Sequence, residues 1–203
     1  WKKFQATCAN YGVQISAKFA KFVVKTYRER FWMVKDSWKR LEAAAIKAVR
    51  NPEMPFNADR VTYLRKGNFL YCRLPSGRKL AYCKPAVVPA PTPWGEMKPK
   101  LTYMTVDGKT HKWVRTDTYG GKLMENNIQG LCRDLEAYAI VTVENDPGNP
   151  YDVVMHTHDE LVSEVDEGVG DVEEFENLIS MLPAWADDFP LKAEGWRGKR
   201  YRK

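Results

Sequence analysis

Towards the end of this 203-residue chain, a run of five residues places four ionisable side chains at very short spacing: His156-Thr157-His158-Asp159-Glu160. They separate two apolar runs within residues 151–165, a pattern that predicts strand, tight turn and strand. Such a turn lifts two adjacent carboxylates out of the sheet, where solvent and metal reach them. Hard Mg²⁺ takes a few carboxylates together with substrate phosphates and water. Two such ions about 3.5–4 Å apart activate an attacking hydroxyl and steady a leaving oxygen. Asp-Glu is also a common polar turn sequence, and residue type alone leaves both readings open. His156 and His158, two apart on a strand, are expected on one face, as a pair of zinc ligands with no matched third.

The elements that must position this turn are legible upstream. Residues 119–143 begin Tyr-Gly-Gly and continue as a long predicted helix, with Leu123, Ile128, Leu131, Leu135, Ala139 and Ile140 as its buried face. Lys122, Glu125, Asn126, Gln129 and Arg133 fall on one broad side of the same helix. A stripe of amides and cations suits a helix that tracks a nucleic-acid groove, and equally a solvated face. The run Asp146-Pro147-Gly148-Asn149-Pro150 breaks the chain before the first strand. After the second, residues 169–182 predict an acidic amphipathic helix, with Val172, Phe175, Leu178, Ile179 and Leu182 inward.

The first half reads differently. Residues 14–31 predict a helix capped by Ser16, with Phe19, Phe22, Val23, Tyr27 and Phe31 at spacings of three and four. Residues 32–49 predict a second helix, striped by Trp38, Leu41, Ala45 and Val49 and stopped by Pro52 and Pro55. Beyond it, β-rich runs flank Pro75-Ser76-Gly77 and again Asp107-Gly108, two hairpin signals. Between them, five prolines in residues 85–99 suggest an extended connector.

Charge is divided along the chain. Residues 1–122 carry 25 Lys/Arg against 8 Asp/Glu, residues 123–190 carry 1 against 17, and residues 191–203 carry 6 against 1. A basic stretch threaded with Trp, Tyr and Phe suits a polyanion, whose phosphates the cations neutralise and whose bases the rings stack upon. It also suits a solvated face packed against the acidic segment. Composition excludes a disordered tail, a collagen-like repeat and a disulfide-stapled miniprotein. No run of about 18 uncharged apolar residues predicts a membrane span. Cys8, Cys72, Cys83 and Cys132 form no C-x-x-C pair and are expected as reduced core residues, which favours a cytosolic setting. Trp1 in place of Met suggests a piece of something longer.

Taken together, these motifs resemble the family A DNA polymerases, especially the bacteriophage type. Tyr119-Gly120-Gly121-Lys122-Leu123, Glu125-Asn126, Gln129 and Arg133-Asp134 resemble that family's long palm helix. His158-Asp159-Glu160 matches its His-Asp-Glu signature. Lys3-Phe4, Gly12-Val13, Ile15-Ser16, Tyr27-Arg28, Trp38 and Leu41-Glu42 resemble the segment after its nucleotide-binding fingers helix. Leu74-Pro75-Ser76-Gly77-Arg78, Leu80 and Tyr82 resemble a hairpin of phage members. Pro190-Leu191, Ala193-Glu194-Gly195-Trp196 and the ending Arg200-Tyr201 resemble their last strand and tail.

The resemblance implies an α+β fold, the C-terminal part of a right-hand polymerase. Residues 1–50 would be the helical end of the fingers, 51–118 a β-rich insertion and 119–203 the C-terminal palm with its long helix and β-hairpin. It implies template-directed nucleotidyl transfer with two Mg²⁺ ions, on primer–template DNA and deoxynucleoside triphosphates. Asp159 and Glu160 would be the catalytic and metal-binding carboxylates, Glu160 the weaker or outer ligand. Lys122, Asn126, Gln129 and His158 would contact DNA, His158 near the primer terminus. A second catalytic aspartate and the fingers helix are absent from residues 1–203, so the N-terminal remainder of the polymerase is an expected partner and the chain alone is expected to be inactive. The expected location is the cytoplasm of a bacterial host, with no membrane partner. Two rival readings are a non-catalytic nucleic-acid-binding module and a metal-dependent phosphoesterase built on His156, His158, Asp159 and Glu160.

Overall fold

The computed structural model describes residues 1–91 and 95–201. Three helices come first: α1 (Lys2–Asn10), α2 (Ala17–Arg30) and α3 (Trp32–Arg50). A six-stranded sheet follows in chain order, β1 (Phe56–Ala58), β2 (Val61–Lys66), β3 (Phe69–Arg73), β4 (Lys79–Pro91), β5 (Met97–Val106) and β6 (Trp113–Thr118). Then come α4 (Gly120–Glu144), a two-stranded sheet of β7 (Asp152–Thr157) and β8 (Glu160–Glu164), and α5 (Val172–Ile179). The chain forms two compact units: Trp1–Asp59 with Tyr63–Leu70 and Tyr82–Met124, and Arg60–Thr62 with Tyr71–Ala81 and Glu125–Lys203.

In the first unit, α2 starts where Ser16 predicts, its hydroxyl accepting the Phe19 N–H at 3.1 Å. Its apolar stripe is not buried. Phe19, Phe22, Tyr27 and Phe31 are 48–61% exposed, and Ala20 is the buried residue of the helix. Helical spacing identifies an apolar face but not what covers it. α1 has no sequence signal strong enough to predict it, since it buries no residue of its own. α3 supplies the core, with Leu41, Ala44, Ala45, Ala48 and Val49 buried.

The proline-rich segment is strand rather than connector. Pro89 pairs with Pro99 and Pro91 with Met97 in the β4–β5 ladder; Pro93 lies outside the described residues. Two features make this possible. β4 outruns the five-residue β3, so its far half needs no ladder partner on that side. Pro85 follows a register shift between Cys83 and Ala86, where Lys84 turns to φ +45°, so the missing N–H falls at a bulge. The second hairpin closes through residues 107–112, a longer loop than Asp-Gly alone makes. Asp107 accepts the Thr110 N–H at 2.7 Å, the Thr110 hydroxyl and the Lys109 N–H, which hold its carboxyl below the usual range.

α4 is seated on α3 through a glycine. A Cβ on Gly120 would lie 1.9 Å from the Trp38 carbonyl oxygen, and the Gly120 N–H donates to Glu42 at 3.2 Å. Trp38 Nε1 lies 3.2 Å from the Met124 sulfur one turn further along. Leu123 is fully buried here.

In the second unit Leu135, Ala139, Val143, Tyr151 and Ala186 are buried. The expected burial of Ile128 is not found: it is 49% exposed. Cys132 is likewise exposed rather than core, whereas Cys72 is buried and donates to Asn127 at 3.3 Å. α5 is shorter than expected because Asp171 caps it, accepting from the Glu173 and Glu174 N–H groups. No strand follows Glu164 among the described residues. The segment expected as a last strand is held through side chains instead: Ala193 N–H donates to Ser180 Oγ at 3.0 Å and Gly195 N–H to Glu176 at 2.5 Å.

Gly120→Ala is expected to destabilise the protein by about 3 kcal/mol or more, because the clash is with backbone and cannot relax through a rotamer. Urea unfolding of the variant against Gly121→Ala, whose new Cβ meets a movable ring of Tyr119, checks this.

Candidate nucleic-acid and metal site

α4 ends where its carbonyls find a substitute partner. Asn149 Nδ2 donates to the Val143 and Asp146 carbonyls, at 2.5 and 2.9 Å, and its own side-chain oxygen accepts the Tyr151 N–H at 2.8 Å. The Pro-Gly-Asn-Pro break is therefore a built cap that turns the chain into β7. Glu144, the last residue of α4, accepts the Val153 N–H at 3.1 Å and fixes where β7 starts.

The β7–β8 ladder pairs Thr157 with Glu160, which leaves His158 and Asp159 as the two turn residues. His158 has φ +56°. One left-handed residue at the first central position is the arrangement glycine usually serves in tight hairpins, and a histidine there stores strain. The strand alternation thus stops at Thr157, and His156 and His158 are not the same-face pair that spacing suggests.

His156 has a different partner. Its Nδ1 lies 3.0 Å from Glu136 Oε1, and Arg133 reaches the other oxygen at 3.6 Å. The Glu136 side chain is only 11% exposed. Two residues earlier, Asp134 accepts from Arg78 Nε at 2.6 Å and from the Ser76 hydroxyl, both in the turn between β3 and β4. Glu136 was not singled out by the sequence, and Tyr201 only as part of the C-terminal motif, without its tie to Glu160. A signal for Glu136 existed: it continues the helical side of Lys122 and Gln129 at +14 and +7.

At the turn itself, Asp159 is exposed and makes no hydrogen bond or ion pair among the described residues. Glu160 accepts the Tyr201 hydroxyl at 2.8 Å, and this bond raises the phenol's pKa. Lys122 is exposed in the first turn of α4, within the first unit; Asn126 and Gln129 lie in the second unit's part of the helix, Gln129 exposed. The hairpin is tied to α4 at Glu136, about 10 Å along the helix axis from Gln129. No group of three His, Cys, Asp or Glu side chains converges for a metal among the described residues. The turn offers hard carboxylate oxygens, a donor set that fits part of an Mg²⁺ shell and leaves the rest to phosphates, water or other protein ligands.

The sequence carries a matching relationship. Over 183 residues the chain is 37% identical to a protein named DNA polymerase from Bacillus phage SP02. The chain is similar to part of a DNA polymerase. The match takes in 89% of this chain and 27% of that relative, so the chain spans about a quarter of the length of the curated relative it matches. No family model matches the chain, and no solved structure matches it. No described helix is long and apolar enough to cross a membrane.

Removing the Glu136 anchor should loosen the turn without unfolding the unit. Glu136→Ala is expected to cost about 1 kcal/mol, since His156 is half exposed, and to speed amide exchange across residues 156–160 by about fivefold relative to α5. His158→Gly is expected to leave stability unchanged or raise it by up to about 1 kcal/mol, by relieving the left-handed strain. Hydrogen exchange and urea unfolding read both.

Proposed function

We propose that this chain is the C-terminal part of a family A DNA polymerase of bacteriophage type, comprising the end of the fingers, a β-rich insertion and the C-terminal palm. The observation that carries the reading is the coincidence of two things. Nine-tenths of the chain is similar to a phage DNA polymerase, and within it His158-Asp159-Glu160 occupies an exposed turn with an unengaged aspartate.

In this reading, Asp159 and, more weakly, Glu160 hold Mg²⁺, which when bound supplies charge to the reacting phosphate. Tyr201 keeps Glu160 oriented by donating to it. His158 is held by its turn at the primer terminus. Lys122 neutralises a backbone phosphate, and the amides of Asn126 and Gln129 donate to phosphate or sugar oxygens, contacts that set register without reading sequence. The primer 3′-hydroxyl attacks the α-phosphate of a deoxynucleoside triphosphate, and pyrophosphate leaves. The protein's contribution is position and electrostatics. A second carboxylate and the triphosphate-binding cations come from the N-terminal remainder, as a preceding segment or a separate subunit.

The test is primer extension by the polymerase that contains this chain. Asp159→Ala is expected to lower kcat at least about a hundredfold, Glu160→Gln by less, with primer–template affinity nearly unchanged. The 203-residue chain alone is expected to extend nothing. Extension that survives Asp159→Ala, or activity of the isolated chain, overturns the reading.

A further inference from the structure

β7 runs back along α4, and two carboxylates of the helix hold it at two points. Glu144 accepts the Val153 N–H at 3.1 Å, near the start of the strand. Glu136 meets His156 Nδ1 at 3.0 Å, near its end. The two spacings agree. From Glu144 back to Glu136 the helix rises about 12 Å, and from Val153 to His156 the strand advances about 10 Å. The strand is therefore clamped along the helix in the opposite direction, and His156 is the last clamp before the turn.

Beyond His156, no hydrogen bond or ion pair among the described residues joins Thr157, His158 or Asp159 to α4. These three residues overhang towards the N-terminal end of the helix, by up to about 10 Å. Gln129 lies in that direction, about 10 Å from Glu136 along the axis. The turn does not hold its place unaided. His158 sits at φ +56°, a conformation that persists only where its surroundings impose it.

Glu136 has the features of such a support. Its side chain is 11% exposed, against 49% for His156. A carboxylate only accepts, so this bond places a hydrogen on His156 Nδ1. Arg133 faces the second oxygen at 3.6 Å. Both oxygens are engaged, and the side chain that carries them stands on the most rigid element of the unit.

We propose that Glu136 is a positioning residue for the carboxylate turn. Acting through His156, it fixes how far His158-Asp159-Glu160 reaches along α4 towards Gln129, and so where Asp159 stands relative to the DNA-facing side of the helix. The proposal rests on the polymerase reading; the clamp itself rests on the two contacts of β7 with α4.

The test is primer extension by the polymerase that contains this chain, with amide exchange of the 203-residue chain as a readout free of activity. Glu136→Ala is expected to lower kcat about tenfold, the scale on which supports of metal ligands act, and to raise the Mg²⁺ concentration for half-maximal rate about threefold. KM for the triphosphate and affinity for primer–template are expected to change less than about twofold. His156→Ala is expected to give the same loss, and the double variant no more than either alone, because the two side chains form one link. Glu136→Gln keeps an oxygen for the Nδ1–H and is expected to stay within about threefold of the unaltered protein. Glu173→Ala, which removes an exposed carboxylate of α5, serves as control and is expected to change kcat less than about twofold. In the 203-residue chain, exchange at residues 157–160 is expected to rise about fivefold in Glu136→Ala, in His156→Ala and in the double variant alike, with α5 unchanged.

Unaltered kcat in both single alanine variants, or losses that multiply in the double variant, overturns the proposal. A raised KM with kcat unchanged also overturns it, in favour of a binding role. Should Glu136→Ala fail to fold, His156→Ala at the half-exposed end of the link and Glu136→Gln decide in its place. A loss on Asp159→Ala with unaltered rates in the Glu136 and His156 variants removes the positioning proposal alone. Extension that survives Asp159→Ala, with exchange at 157–160 still governed by the Glu136–His156 link, removes the polymerase reading alone.

Discussion

Two carboxylates on α4, two residues apart and each about nine-tenths buried, hold the second unit in register. A separation of two residues is about 200° of helix, so Asp134 and Glu136 point to nearly opposite sides. Asp134 takes the turn between β3 and β4 through Ser76 and Arg78; Glu136 takes the β7–β8 hairpin through His156. One rigid rod therefore fixes two turns that are distant in sequence. Each carboxylate is satisfied by charged or polar donors, which is what lets it be buried at all. The exposed Asp159 depends on this arrangement indirectly, since the turn that carries it is only as well placed as the strand beneath it.

The same segment shows how the acidic half of the chain distributes its charge. Glu144 and Glu174 serve the backbone and the buried Tyr151 phenol, whose pKa burial and the Glu174 contact push up. Asp171 caps α5, and Glu176 holds the final segment. Asp159 is left to solvent. Of the turn's two carboxylates, Asp159 is the one that no described residue engages, and so the one best suited to bind something from outside. In the basic half the surplus lies on α2, where cations and aromatic rings face outward together.

The hairpin at 156–160, the long helix after Tyr-Gly-Gly, the Ser16 cap and both sheet hairpins were legible because each is a local device. A cap, a turn or an alternating pattern carries its own cause within a few residues. The Pro-rich strands were not legible, because tolerance of Pro89 depends on how far β3 reaches alongside β4, and that of Pro99 on how far β6 reaches alongside β5. The last segment was misjudged as strand for a related reason: its amides are taken by Ser180 and Glu176, partners that local sequence cannot identify.

The candidate site divides in the same way. Residue order alone determined that His158, Asp159 and Glu160 share a turn, that Lys122, Asn126 and Gln129 share a helix side, and which apolar stripes exist. Tertiary structure alone decided that His156 belongs to Glu136 rather than to His158, that Glu160 meets Tyr201, and that the aromatic stripe of α2 stays open while the stripe of α3 is buried. The reason is physical. Periodicity fixes the direction in which a side chain leaves its own backbone, whereas its partner is set by whatever the remaining chain brings there, and a left-handed residue such as His158 cancels even the direction.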